Sequence, residues 1–444
     1  MADENKDLIK TVIKFIKNTY SKVLQSIAFY PVLISTVFLI IAFGGLEIEN
    51  FEPIKKLKEN LPYLFIQDYE TARSILSTLI GGILSLTVFS FTMVMSVLSQ
   101  ASSNFSPRLL PDLISNKKHQ IILGVYIGTL SYCIIILISL GAAGVDSSSL
   151  GLSTMFAALL GVICIGLFVY FIHNISRAIQ IQNIVDSIAE ASMLFFNKQL
   201  KIQEETKSSL STIDTTGWTV IKSGKSGYFR GFDPALLNDS LKENNHEIFV
   251  IPYINQHIWA GSPILKIKKP PSEDEYTNLN FGVTLSPDRL EGEKGIGGMI
   301  KLMEIAVKAM SPGVNDPGTA IDAIIKLTQL LRALLQLPQI TIEKLYEKRL
   351  TVIEKIINAD EAMRLLIQPI RQYSKQDSAV CFVLIEALQF IVQEPNISND
   401  KKAVIKSELA ALKRDVEDSI ENETDKQRII KQFDNPRAFD QEYL

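Results

Sequence analysis

The stretch Ile75 to Gln100, ILSTLIGGILSLTVFSFTMVMSVLSQ, contains no charged residue. Coiled into a helix it extends about 39 Å, more than the roughly 30 Å of a bilayer's hydrocarbon core. A chain holding such a run folds around a membrane. The run is not uniformly apolar. Ser77, Gly81, Ser85, Thr92, Ser96 and Ser99 follow one another at steps of 4, 4, 7, 4 and 3, which puts them on one helical face. Lipid does not reward such a face, so it is expected to turn towards other helices or towards water.

Three more apolar runs, 27–46, 120–141 and 153–173, reach spanning length. None of the four carries Asp, Glu, Lys or Arg at its centre. Proton pumps, voltage sensors and many coupled transporters need ionisable groups there. A passive pore or a plain anchor fits better. The connecting segments set the orientation. Lys6, Lys10, Lys14, Lys17 and Lys22 precede the first run, and Arg108, Lys117 and Lys118 follow the second. The segment Ala142 to Gly151 has no Lys or Arg. Lys55, Lys56, Lys58 and Arg73 lie among acids between the first two runs, and acids count little in this rule. Positive charge stays inside. Both termini are therefore expected in the cytoplasm, and a prokaryotic inner membrane is the expected location.

Charged residues are scarce up to the fourth run and abundant after it, which marks a membrane half and a soluble half. The net charge of −3 gives no basic field for nucleic acid. Cys133, Cys164 and Cys381 show no paired spacing, so neither a metal nor a disulfide framework is expected. No cofactor is expected either.

These signals give a mainly α integral membrane protein in six stretches. Residues 1–26 form a basic amphipathic leader suited to a headgroup interface, and 27–177 hold four transmembrane helices. Residues 178–210 form a helical stalk continuous with the fourth span, because no Pro or Gly interrupts them. Ile181, Ile184, Ile188, Ala191 and Phe195 make a heptad-like seam there, for a subunit contact or for the chain's own soluble domain. Residues 211–270 form a small β-rich cytoplasmic module, with a short helix at Asp233–Asn244. After a polar linker at 270–280, residues 281–425 form an all-α cytoplasmic domain. Its helices fall near 297–310, 317–335, 341–357, 360–374, 377–393 and 399–421. Pro369 is expected to kink or shorten its helix. Residues 426–444 are a polar tail.

Four motifs bear on function. Ser223-Gly-Lys-Ser226 lacks the glycine that a phosphate-binding loop needs five positions before its GKS, where Thr219 stands. Phe105-Ser-Pro-Arg108 ends the second span and places Arg108 at the inner rim. His173 and Arg177 share a helix face at the inner end of the fourth span. A ring of such groups in an oligomer attracts anions. Ser311-Pro-Gly-Val-Asn-Asp-Pro-Gly-Thr-Ala320 reads as a corner between helices, with Gly313 in a left-handed turn, Asp316 as cap and Pro317 in the first position. Alternatively Asn315, Asp316 and Thr319 form a ligand-binding loop. No catalytic constellation appears, so enzyme is the weaker class.

FSPRLL at 105–110, FIHNISRAIQ at 171–180 and MEIAVKAMSPGVNDPGTA at 303–320 resemble a bacterial family of predicted membrane proteins, domain of unknown function 2254. The resemblance implies four N-terminal spans, a glycine-aromatic β element and helices containing the SPG-x-NDP-x-TA run. The stretch Thr284-Leu-Ser-Pro-Asp-Arg-Leu departs from that pattern. No activity comes with the resemblance.

The expected function is a homo-oligomeric inner-membrane channel. Ser77, Gly81, Ser85, Thr92 and Ser96 line its path. Arg108, His173 and Arg177 set the inner-mouth potential, with an anion favoured over another small polar solute. The cytoplasmic part assembles or gates it. The expected partners are the lipid bilayer, further copies of the chain and a small ion or solute. The alternative is a membrane-anchored sensor or scaffold without a pore.

Overall fold

The computed structural model describes residues 26, 28–49, 51–60, 65–66, 68–104, 117–142, 150–178, 180–206, 213–287, 294–346 and 349–434. The leader at 1–25 and the end of the tail, 435–444, lie outside them. The chain divides into two compact units, the first ending at Gln180 and the second beginning at Ile181.

In the first unit, α1 (Phe29–Ile48), the short α2 (Glu52–Asn60), α3 (Tyr69–Asn104), α4 (Lys117–Ala142) and α5 (Gly151–Ala178) follow in order. All but α2 are long and apolar enough to cross a membrane. In lipid there is little hydrophobic drive between helices, so close packing and hydrogen bonds hold them. Gly124 and Gly128, one turn apart on α4, let α1 approach. A Cβ at Gly124 would sit 3.1 Å from the Pro31 Cα, and one at Gly128 would sit 2.8 Å from Phe38 Cγ. Two apolar clusters fill the interior. One joins Ala72 and Leu76 of α3 to Tyr132, Cys133 and Ala157, and the other joins Ile83 and Val97 to Tyr126, Cys164 and Phe171.

One end of this bundle is locked by a carboxylate. Glu49 is only 2% exposed, and its Oε1 accepts the Ser153 N–H at 2.6 Å. That N–H lies in the first turn of α5, where no intrahelical acceptor exists. The carboxylate also meets the positive end of the helix dipole. The Tyr132 hydroxyl donates to the Ser153 carbonyl at 3.2 Å.

The second unit begins with α6 (Ile181–Thr206). The expected unbroken stalk is thus two helices, with α5 ending at Ala178. The buried residues of α6 are Val185, Ile188, Ala189, Ser192 and Phe196. They pack on α9 (Ile296–Ala309) and α10 (Pro317–Gln336) of the same chain, and Lys326 reaches Asp186 at 2.8 Å. Of the expected seam only Ile188 is buried in this packing, and Phe195 is exposed.

The β-rich part is larger than the sequence pattern suggests. A five-stranded sheet runs β1 (Thr219–Lys222), β5 (Pro263–Ile267), β3 (His246–Val250), β8 (Leu350–Lys355), β7 (Ile340–Leu345). Only β3 and β8 pair in parallel. A second sheet has the order β4 (His257–Ile258), β2 (Gly227–Phe232), β6 (Val283–Ser286). Ile221, Phe229, Ile248, Val250, Leu265, Ile267 and Val352 share one core. The helix expected at 341–357 is therefore the β7–β8 hairpin, and the C-terminal domain is not all-α. In ITIEKL and LTVIEK the β-branched residues and the alternation outweigh the helical spacing.

Residues expected as a linker form α8 (Glu273–Gly282), started by a capping box in which Ser272 and Glu275 exchange hydrogen bonds. Ahead of it, Asp233 caps a short turn at Pro234–Leu236, and α7 (Asp239–Glu243) follows with Asn238 as its cap. The C-terminal helices are α11 (Ala359–Ala362), α12 (Gln368–Ser374), α13 (Ser378–Gln393), α14 (Asn399–Ser419) and α15 (Glu423–Asp434). Pro369 does not end the helical run, which continues to Ser374. A wide π turn at Met363–Ile367 precedes it and accommodates the missing N–H. α15 buries Ile429, so the polar tail begins later than 426. Arg371 joins α12 to α14 through Glu408 at 2.7 Å and through Asp415.

Glu49→Ala strands the Ser153 N–H in the interior and is expected to cost about 1–3 kcal/mol. Glu49→Gln keeps an acceptor oxygen and costs less. Heating the solubilised protein while labelling the buried thiols of Cys133 and Cys164, in a Cys381→Ala background, measures both.

Candidate functional site

Ser77, Gly81, Ser85, Thr92 and Ser96 are all exposed on α3. The opposite face, with Ala72, Leu76, Ile83, Ser90 and Val97, is buried against the bundle. The small-residue stripe is thus not used to pack the chain on itself. Its hydroxyls are partly satisfied along the helix. Ser85 Oγ donates to the Gly81 carbonyl and Thr92 Oγ1 to the Val88 carbonyl, each at 2.9 Å. A Cβ added at Gly81 would meet nothing within 4 Å. Arg108 lies outside the described residues. His173 and Arg177 are both exposed, one turn apart near the end of α5.

The corner between α9 and α10 is built from its own hydrogen bonds. Asp316 caps α10: its Oδ1 accepts the Thr319 N–H at 3.1 Å and its Oδ2 the Thr319 hydroxyl at 2.6 Å. Pro317 holds the first position. The Asp316 N–H returns to the Ala309 carbonyl at 2.9 Å. The left-handed residue is Asn315, at φ 47°, and not Gly313 as expected. Asparagine tolerates that region well. Asn315 and Asp316 are exposed while Thr319 is buried.

A groove of about 560 Å³ lies between α6, α10 and α13. Met193, Leu200, Ile325 and Ala387 give it apolar walls, and Asn197, Gln329, Arg332 and Glu386 bring polar atoms. Arg332 is held in place on two sides. It pairs with the buried Glu394, and its guanidinium lies 5.4 Å from the Phe390 ring centroid. Sequence patterning did not bring these residues forward. The signal available was a lone arginine within LLRALLQ.

His246, Glu275 and Ser240 form a second polar cluster in the same unit. Glu275 Oε2 accepts the Ser272 N–H at 2.9 Å, and its Oε1 accepts the Ser240 hydroxyl. His246 Nε2 stands 3.9 Å from Oε1. The carboxylate is committed to the start of α8. Burial pushes the His246 imidazole below its ordinary value, against the pull of Glu275, and Lys269 adds to the lowering. Burial alone would raise Glu275, but the hydrogen bonds from Ser240 and Ser272 and the nearby His246 hold it low. Among the described residues no group of three His, Cys, Asp or Glu is placed to hold a metal ion.

Asp316→Ala removes both acceptors at once and is expected to destabilise the second unit by about 1–2 kcal/mol. Asp316→Asn keeps most of that. For His246 and Glu275 the unfolded chain binds more protons than the folded one. The stability is full at neutral pH, falls below the ordinary imidazole value, and falls again as Glu275 protonates. Urea titrations followed by Trp218 and Trp259 fluorescence check both, and His246→Gln is expected to flatten the loss between about pH 7 and pH 5.

Sequence comparison agrees with a membrane protein. The profile of the family described as "Predicted membrane protein (DUF2254)" matches residues 25–389. Uncharacterized proteins of Mycobacterium bovis and of two strains of Mycobacterium tuberculosis are each 20% identical over 383 residues, which is 80% of this chain and 68% of theirs. No solved structure matches. The chain belongs to the predicted membrane protein family DUF2254.

Proposed function

We propose that the chain is a subunit of a homo-oligomeric, channel-like protein of a prokaryotic inner membrane. Copies of α3 surround a path bordered by Ser77, Gly81, Ser85, Thr92 and Ser96. Both termini are cytoplasmic, and the second unit assembles or gates the pore. The observation that carries this reading is the outward position of the stripe on a helix whose opposite face is buried. A hydroxyl face left over after the chain has packed is best satisfied by water or by a symmetric neighbour. His173 and Arg177, with Arg108, favour an anion at the inner mouth. Asn315, Asp316 and Thr319 belong to the assembly corner in this reading, since the Asp316 carboxylate is already occupied by Thr319.

A membrane-anchored sensor is the second reading. It is supported by the groove between α6, α10 and α13, which has mixed lining and a size suited to a small organic ligand.

Single-channel recording from proteoliposomes tests the first reading. A conductance is expected, and Ser85→Leu is expected to reduce it about tenfold or more by dewetting the path. Silence under all conditions, with Ser85→Leu indistinguishable from the parent, sinks the pore and leaves the sensor.

A further inference from the structure

Three rings lie together on one face of the β4-β2-β6 sheet. Tyr228 and His257 are cross-strand partners with ring centroids 4.9 Å apart, and Trp259 follows 4.4 Å from His257. Trp259 is 69% exposed. An indole left this open in water forgoes much of its burial energy, and both Trp and Tyr favour sites with one apolar and one wet side.

The backbone beneath the rings is firm. The Ala260 N–H donates to Ser226 Oγ at 2.8 Å, the Gly261 N–H to the Ser223 carbonyl at 2.8 Å, and the Ser223 N–H to the Ser262 carbonyl at 2.9 Å. Gly261 sits at φ +84°, where a side chain would be strained. The Ser223-Gly-Lys-Ser226 turn is therefore the other half of a tip that presents Trp259.

The charge of the tip has one sign. Residues 217–232 and 248–272 contain Lys222, Lys225, Arg230, Lys266, Lys268 and Lys269 and no Asp or Glu, in a chain of net charge −3. Lys268 is paired with Glu247, while Lys266 and Lys269 are hydrogen-bonded to Thr215 and to the Asn244 carbonyl. Lys222, at the end of β1, and Lys225, on the turn that follows it, are exposed and make no ion pair among the described residues.

We propose that this tip, Tyr228, His257 and Trp259 with Lys222 and Lys225, docks on the anionic headgroup surface of a bilayer. Aromatic rings and lysines are the side chains that settle at that boundary. The chain supplies its own tether, because only residues 179 and 180 separate the spanning helix α5 from the unit bearing the tip.

The sequence holds two tryptophans, Trp218 and Trp259. Trp218→Phe, or Trp218→Tyr as a second background, makes Trp259 the sole indole. The full chain is placed in phosphatidylcholine vesicles with and without about 30% phosphatidylglycerol, a composition that supplies the negative surface potential. With phosphatidylglycerol, Trp259 emission is expected to shift to the blue and to be quenched by brominated lipid. Lys222→Gln and Lys225→Gln are each expected to lower the docked-to-free ratio about fivefold, and salt to lower it further. Emission that stays red, is quenched by aqueous acrylamide and ignores both bromine and phosphatidylglycerol overturns the proposal. Quenching by added AMP with no response to phosphatidylglycerol also overturns it and assigns the rings to a nucleobase.

Discussion

The first unit depends on where Glu49 puts its charge. A carboxylate this deeply buried is tolerated only when its oxygens are hydrogen-bonded. Here the Ser153 N–H, in the first turn of α5, is an unpaired donor that needs an acceptor as much as Glu49 needs a donor. Satisfying both fixes the end of α1 against the start of α5. Gly124 and Gly128 then bring α4 onto α1 at backbone distance. With α1, α4 and α5 so arranged, α3 fits by one face only. The face carrying Leu76, Ile83 and Val97 enters the two apolar clusters.

The stripe on α3 is a consequence of that arrangement. Small residues on a membrane helix serve close packing or a wet path. Within a single chain the close-packing role is filled elsewhere, by Gly124 and Gly128. Both α3 glycines, Gly81 and Gly82, have open space where a Cβ would go. The pore proposed for this chain follows from this division of labour among glycines.

Much of the fold was legible in the sequence where one physical signal acted alone. Length and apolarity marked the four spans to within a few residues at most ends. Asp316 and Pro317 announced the start of α10 through local capping chemistry. Legibility failed where signals competed or were non-local. Residues 340–355 carry both helical spacing and β-branched content, and the parallel partner of β8 lies about a hundred residues earlier at β3. No local pattern records that pairing. The polar run 270–280 looked like a linker because its single buried carboxylate, Glu275, is satisfied by Ser240 far from it in sequence. The groove was invisible for the same reason, since α6, α10 and α13 are widely separated along the chain.

The β3–β8 pairing ties the C-terminal hairpin into the β-rich part of the second unit. α10, which lines the groove with Arg332 and Gln336, ends at Gln336, and Lys401 closes it by donating to the Leu335 and Leu337 carbonyls at 2.8 and 2.7 Å. Three residues later the chain enters β7, which pairs with β8. From there hydrogen-bonded strands lead through β3 and β5 to β1, whose end opens into the turn beside Trp259. Removing β7 and β8 would open a sheet edge beside Ile248 and Val250, so the β-rich module cannot be cut at residue 270 and remain covered.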